Sequence, residues 1–115
     1  MTLSDATLPL SDAEVDRIFH ALADATRRDI VRRTLGEEAS VSRLAESYDM
    51  SFAAVQKHVA VLEGAGLVTK HPRGRERLIR GNPDTIARAQ GLLDELEHLW
   101  RARIERLDAL LAEDR

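Results

Sequence analysis

Between Ser51 and Arg80 the chain gathers side chains whose chemistry is recognition of phosphates and base edges: Gln56, Lys57, Lys70, Arg73, Arg75 and Arg77. A glutamine amide donates and accepts side by side, which matches the N6/N7 edge of adenine, and arginine forks onto phosphate oxygens. Arg73 and Arg75 flank Gly74 in a Pro72-Arg73-Gly74-Arg75 turn, with His71 beside them. A turn needs glycine and proline but has no need of arginine, whereas clamping phosphates or entering a narrow minor groove does. The net charge of −3 conceals this concentration. Residues 51–81 carry six Lys/Arg against Glu63 and Glu76, while the flanking segments are both acidic. A local positive field attracts a polyanion whatever the total, and acidic ends discourage indiscriminate binding.

Other chemistries lack their residues. Without cysteine there is no disulfide, thiolate nucleophile or zinc ribbon. Ser and His fall on helix caps and surfaces in no nucleophile–base arrangement, and no glycine loop cradles a phosphate, so an enzyme is not expected. No cofactor is expected either. No apolar run reaches the length of a membrane span, and MTLSDATLPLSD has neither a basic start nor an apolar stretch of a secretory signal. The expected compartment is the cytosol.

The elements that must position the basic residues follow from caps and periodicity. Residues 1–10 lack periodicity and read as a loose tail. Ser11-Asp12-Ala13-Glu14 forms a capping box for a first helix with Val15, Ile18, Phe19 and Leu22 on one apolar face. Asp24 caps a second helix carrying Ile30, Val31 and Leu35, ended by Gly36, and residues 37–40 read as a polar loop. A third helix repeats the spacing with Val41, Leu44, Ala45 and Tyr48, and Asp49-Met50 only turns the chain. Ser51 caps a fourth helix whose expected inner face is Phe52, Val55, Val59 and Leu62. Leu67–His71 and Glu76–Arg80 predict a β-hairpin. Asn82-Pro83 starts a last helix that runs to about Glu113.

Helix, short turn, helix and basic hairpin make a device for presenting one helix and one loop to DNA. In a helix-turn-helix the N-terminal half of the second helix enters the major groove. Ser51, Ala53, Gln56 and Lys57 are then the expected contacts: Ser51 for a phosphate at the helix N-terminus, Ala53 for close approach or a thymine methyl, Gln56 for adenine, Lys57 for guanine or phosphate. Lys70, Arg73, Arg75 and Arg77 supply the hairpin contacts. The last helix carries more apolar residues than a small domain covers. It either packs back on its own domain or pairs with a second copy through Leu92, Leu96, Leu99, Trp100 and Leu107, and the second is expected.

FHALADATRRDIV (Phe19–Val31), AAVQKHVAVLEGAGLV (Ala53–Val68) and PRGRERLIRGNP (Pro72–Pro83) resemble the opening signature, recognition helix and wing of the ArsR/SmtB family of bacterial winged-helix repressors. The likeness covers about residues 15–85. It implies a homodimeric repressor of an inverted-repeat operator, mainly α with a small β-hairpin wing and about five helices, dimerised through its first and last helices. Residues 11–81 would be the DNA-binding domain and 82–115 the dimerisation helix. His58 matches a histidine frequent in the family helix, where it either bonds a phosphate or braces the helix. Ala25 stands where the family's opening signature usually has proline. Two departures matter: Gln56 stands where the family often has serine, and the cysteines of the third helix are missing. The third-helix cysteine metal site is absent from SVSRLAESYD. A second family metal site uses His and carboxylates of the last helix; Asp94, Glu95, His98 and Glu105 are present, but no second well-spaced His follows His98. No metal is expected, and the effector is unknown. The rival class is a winged helix that docks protein through its last helix, for which Arg73 and Arg75 would be dispensable.

Overall fold

The computed structural model describes residues 9–113. The elements are five helices, α1 (Asp12–Leu22), α2 (Ala25–Gly36), α3 (Val41–Ala45), α4 (Phe52–Gly64) and α5 (Pro83–Glu113), and a small sheet of β1 (Ala39–Ser40), β2 (Val68–Arg73) and β3 (Glu76–Gly81). Each helix starts where a short polar side chain meets free backbone N–H groups. Ser11 and Glu14 close the capping box in both directions, at 3.2 and 3.1 Å. The Asp24 carboxylate accepts from the Arg27 N–H at 3.0 Å, and Ser40 and Ser51 accept from Arg43 and Ala54. Asn82 accepts from the Asp84 N–H, and its own amide donates to the Gly66 carbonyl at 3.0 Å. The Thr85 hydroxyl donates to that same carbonyl at 2.6 Å, so the exit of α4 is pinned to the entry of α5.

The core holds Ile18 and Ala21 of α1, Ile30 and Val31 of α2, Leu44 of α3, and Val55, Val59 and Leu62 of α4. Leu67, Val68 and Ile79 close it from the sheet side, and Leu10 packs against its edge. Residues 1–8 of the expected tail lie outside the described residues. Thr34 is buried with its hydroxyl donating to the Ile30 carbonyl at 2.7 Å, and among the described residues no buried side-chain polar atom lacks a partner.

The structure departs from the sequence-based expectations in four places. Residues 37–40 are not all loop: Ala39 and Ser40 pair antiparallel with Ile79 and Leu78, so the wing is a three-stranded sheet of order β1-β3-β2. Because Ser40 also caps α3, the wing and the helix-turn-helix share a residue. Second, α3 ends at Ala45, and Tyr48 lies beyond it, its hydroxyl donating to Asp29 at 2.6 Å with Arg33 over its ring. Burial, reinforced by that bond, pushes the Tyr48 phenol above its ordinary range. Third, the hairpin turn is tighter than expected. Pro72 and Arg73 belong to β2, and Gly74 turns the chain at φ +64°, a left-handed conformation that suits a residue without Cβ. Fourth, Phe19, Leu35 and Phe52 are exposed rather than part of the core faces.

Past Ala89, α5 has no buried residue. At 31 residues it is about 46 Å long, and it accounts for the elongated 71 × 41 × 25 Å shape. No helix of the described residues is long and apolar enough to cross a membrane.

Candidate nucleic-acid interface

Cross-strand pairing sorts the wing's cations onto two faces. Side chains alternate along a strand, so Lys70 and Arg77 share a face with the buried Val68 and Ile79, while Arg73 and Arg80 share the other. On that second face Glu38 holds both arginines: Arg80 through its Nε, and Arg73 through Nη1 at 3.6 Å. The Arg80 hydrogen bond, with the charge of both guanidiniums, holds the Glu38 carboxyl below its usual range. Lys70 pairs with Glu63 at 3.4 Å. Arg75, Arg77 and Lys57 have no ion-pair partner among the described residues, and all three are exposed.

On the first face the wing and α4 enclose a groove of about 410 Å³. Phe52, Gln56 and Val59 line its helical side, Lys70, Arg75, Glu76 and Arg77 its wing side, and Ser40 to Ser42 the start of α3, so three cations outweigh one carboxylate. The groove therefore joins an amide able to make paired hydrogen bonds to two unpaired guanidiniums. Such a surface suits a polyanion that also presents heterocycle edges.

The expected contacts divide accordingly. Ser51, which caps α4, and Ala53, Gln56 and Lys57 on it are all exposed. Ser51 already uses its hydroxyl to cap the helix. His58 turns to the opposite side of α4, where its Nδ1 lies 3.2 Å from Nη1 of Arg27. A guanidinium can only donate, so Nδ1 is the acceptor and the neutral ring carries its proton on Nε2. The same Arg27 donates through Nε to the Ala21 carbonyl at 2.7 Å and through Nη2 to the His20 carbonyl at 3.1 Å. One side chain thus caps the C-terminal end of α1 and braces α4 through His58. Sequence reasoning missed Arg27 and Glu38 because His58 and Arg80, which they hold, lie 31 and 42 residues away.

On α5 the exposed Leu93, Leu96, Leu99, Trp100, Ile104, Leu107, Leu110 and Leu111 form one stripe, with Leu92 half-buried at its edge. At 100° per residue they fall within roughly 140° of the helix. Arg103, the one charged residue in that sector, lies over the Trp100 ring. Asp94, Glu95, His98 and Glu105 occupy the far side. Among the described residues no three His, Cys, Asp or Glu side chains are gathered to hold a metal.

A helix-turn-helix domain model matches residues 22–71. An HTH-type transcriptional regulator, Rv2034, of Mycobacterium tuberculosis is 38% identical over 85 residues, covering 74% of this chain and 77% of its own. The arsenical resistance operon repressor of Escherichia coli is 32% identical over 97 residues, covering 83% and 80%. The chain belongs to the ArsR/SmtB family of winged helix-turn-helix regulators. Solved members share the architecture. An ArsR-like transcriptional regulator from Rhodococcus sp. RHA1 superposes with a TM-score of 0.77 at 28% identity, covering 85% of this chain and 92% of its own. The homodimeric winged helix-turn-helix DNA-binding domain Mb0332 from Mycobacterium bovis does so at 0.61 and 26%, covering 78% and 91%. As an ArsR/SmtB member the chain is a DNA-binding transcriptional regulator and not an enzyme.

Proposed function

We propose that the chain is a homodimeric repressor that binds an inverted-repeat operator, with α4 in the major groove and the wing against the neighbouring backbone. The observation that carries this reading is the groove in which Gln56 and the unpaired Arg75 and Arg77 face one another. Gln56 specifies a base and the arginines hold phosphate. Lys57 and Ala53 extend the contact along α4. Lys70 and Arg73 are already paired with Glu63 and Glu38, which offsets part of their charge, so their share is smaller than their charge suggests. His58 acts behind the helix as a brace.

The α5 stripe supplies the dimer. An apolar surface of that extent on a polar chain marks an interface, the Mycobacterium bovis relative is homodimeric, and a two-fold seam through Leu96, Leu99, Trp100 and Leu107 uses the same patch on both copies. Phe19 of α1 is the exposed aromatic that would extend it. Occupying the promoter and excluding polymerase is the simplest mechanism of repression.

Footprinting on DNA upstream of the protein's own gene, at physiological salt with non-specific competitor, tests the reading. It predicts a protected imperfect palindrome. A folded dimer that protects nothing at micromolar concentration would instead favour a protein-docking role.

A further inference from the structure

Phe52 is the first residue of α4 and is 47% exposed, whereas Val55, Val59 and Leu62 on the neighbouring inner face are fully buried. It does not merely border solvent: it lines the groove shared with Gln56, one helical turn further on, and with Lys70, Arg75 and Arg77. The ring is about half open to solvent among three cations and the Glu76 carboxylate, and among the described residues no cation lies over its face. Its partner must therefore offer an apolar group inside an otherwise anionic, hydrogen-bonding surface. Duplex DNA offers one such group in its major groove, the C5-methyl of thymine, which phenylalanine is able to contact.

We propose that Phe52 is a specificity-determining residue that reads the 5-methyl group of one thymine in each operator half-site. The inference rests on the major-groove placement of α4 and adds a base that the polar residues do not specify. Phe52 and Gln56 lie about 40° apart around the helix and one turn apart along it, so they meet neighbouring base pairs. Packing the methyl against the ring edge removes both from water, and the burial of one methyl corresponds to about a fourfold change in affinity per half-site.

The test replaces thymine by deoxyuridine, which deletes the methyl and keeps every hydrogen-bonding group. An operator is first obtained by selection from a random duplex pool. Each thymine is then replaced symmetrically in both half-sites, and binding is measured for wild type, Phe52→Ala and Phe52→Leu. The proposal expects one position at which deoxyuridine weakens wild-type binding by roughly 10- to 20-fold over two half-sites. Phe52→Ala should bind the thymine and deoxyuridine operators equally, and Phe52→Leu should keep part of the difference. Melting curves identify any variant that has lost its fold, for which Phe52→Leu serves as the second reading. If wild type binds the selected operator specifically yet ignores deoxyuridine everywhere, the proposal is overturned while the repressor reading stands. If the sensitivity persists in Phe52→Ala, Ala53 or another residue reads the methyl, and the proposal is again overturned. Failure to select any operator overturns the repressor reading itself.

Discussion

The chemistry expected of this regulator rests on a few side chains whose neighbours set how free they are to act. Arg75 and Arg77 are unpaired beside Gln56, while Arg73 is held by Glu38. Replacing Arg75 and Arg77 by alanine should therefore weaken binding to all sequences and lower the slope of log K against log salt by about one for each phosphate left without its cation. Arg73→Ala should have the smaller effect, and an equal weakening in a salt titration would show that the Glu38 pair opens freely on DNA. Replacing Gln56 by alanine should cost about 1–3 kcal/mol at one base pair per half-site and relax preference there, as read by competition among single-base operator variants. The basic cluster was legible in the sequence because a polar turn has no structural use for so many arginines. The division of labour within it was not, since Glu38 reaches the wing only through the folding of a segment 42 residues from Arg80. The aromatic at the head of α4 was misplaced for a related reason: apolar spacing identifies a stripe but not which edge of it the core leaves uncovered.

At the scale of elements, local signals were the reliable ones. Ser11, Asp24, Ser51 and Asn82 each cap the helix they were expected to start, because a capping bond is made within three residues and needs no tertiary context. The two-residue strand β1 left no trace in the sequence, as two residues carry no period and their pairing is supplied by β3. Tyr48 matched the helical spacing of α3 but lies beyond its end, held instead by Asp29 and Arg33 of α2. The caps make a prediction in pH. The Arg27 N–H lowers the Asp24 carboxyl, and the Ser11 backbone and hydroxyl lower that of Glu14. A carboxyl depressed in the folded state contributes stability above its unfolded pKa, and that stability is lost as pH falls through the folded value. Thermal stability should thus decline between about pH 5 and pH 3, and less steeply in Asp24→Asn or Glu14→Gln. Identical acid limbs in variants and wild type would remove the caps as the cause. The Arg27 brace makes a second prediction. Arg27→Met should leave α4 helical but free the C-terminal carbonyls of α1 and the His58 ring, lowering the melting temperature together with operator specificity.

For the whole molecule, the proposed function turns on the protruding half of α5. Its stripe adds nothing to the core of a single chain, so Leu96→Glu or Trp100→Glu should leave each copy folded yet shift the sedimentation coefficient to that of a monomer. Operator affinity should fall towards that of non-specific DNA, because two linked half-site contacts become independent ones. The sequence already indicated an apolar excess on this helix; that the excess begins past Ala89, clear of the domain, emerges only from the fold.

In the proposed assembly two copies read two half-sites from one face of the duplex. Inserting five base pairs at the operator's centre turns one half-site through roughly half a helical turn while leaving every base contact available. Binding of the intact protein to this duplex, measured beside the original operator, should drop to the level of non-specific DNA. Undiminished binding would contradict a fixed dimer and leave each chain acting on its half-site alone.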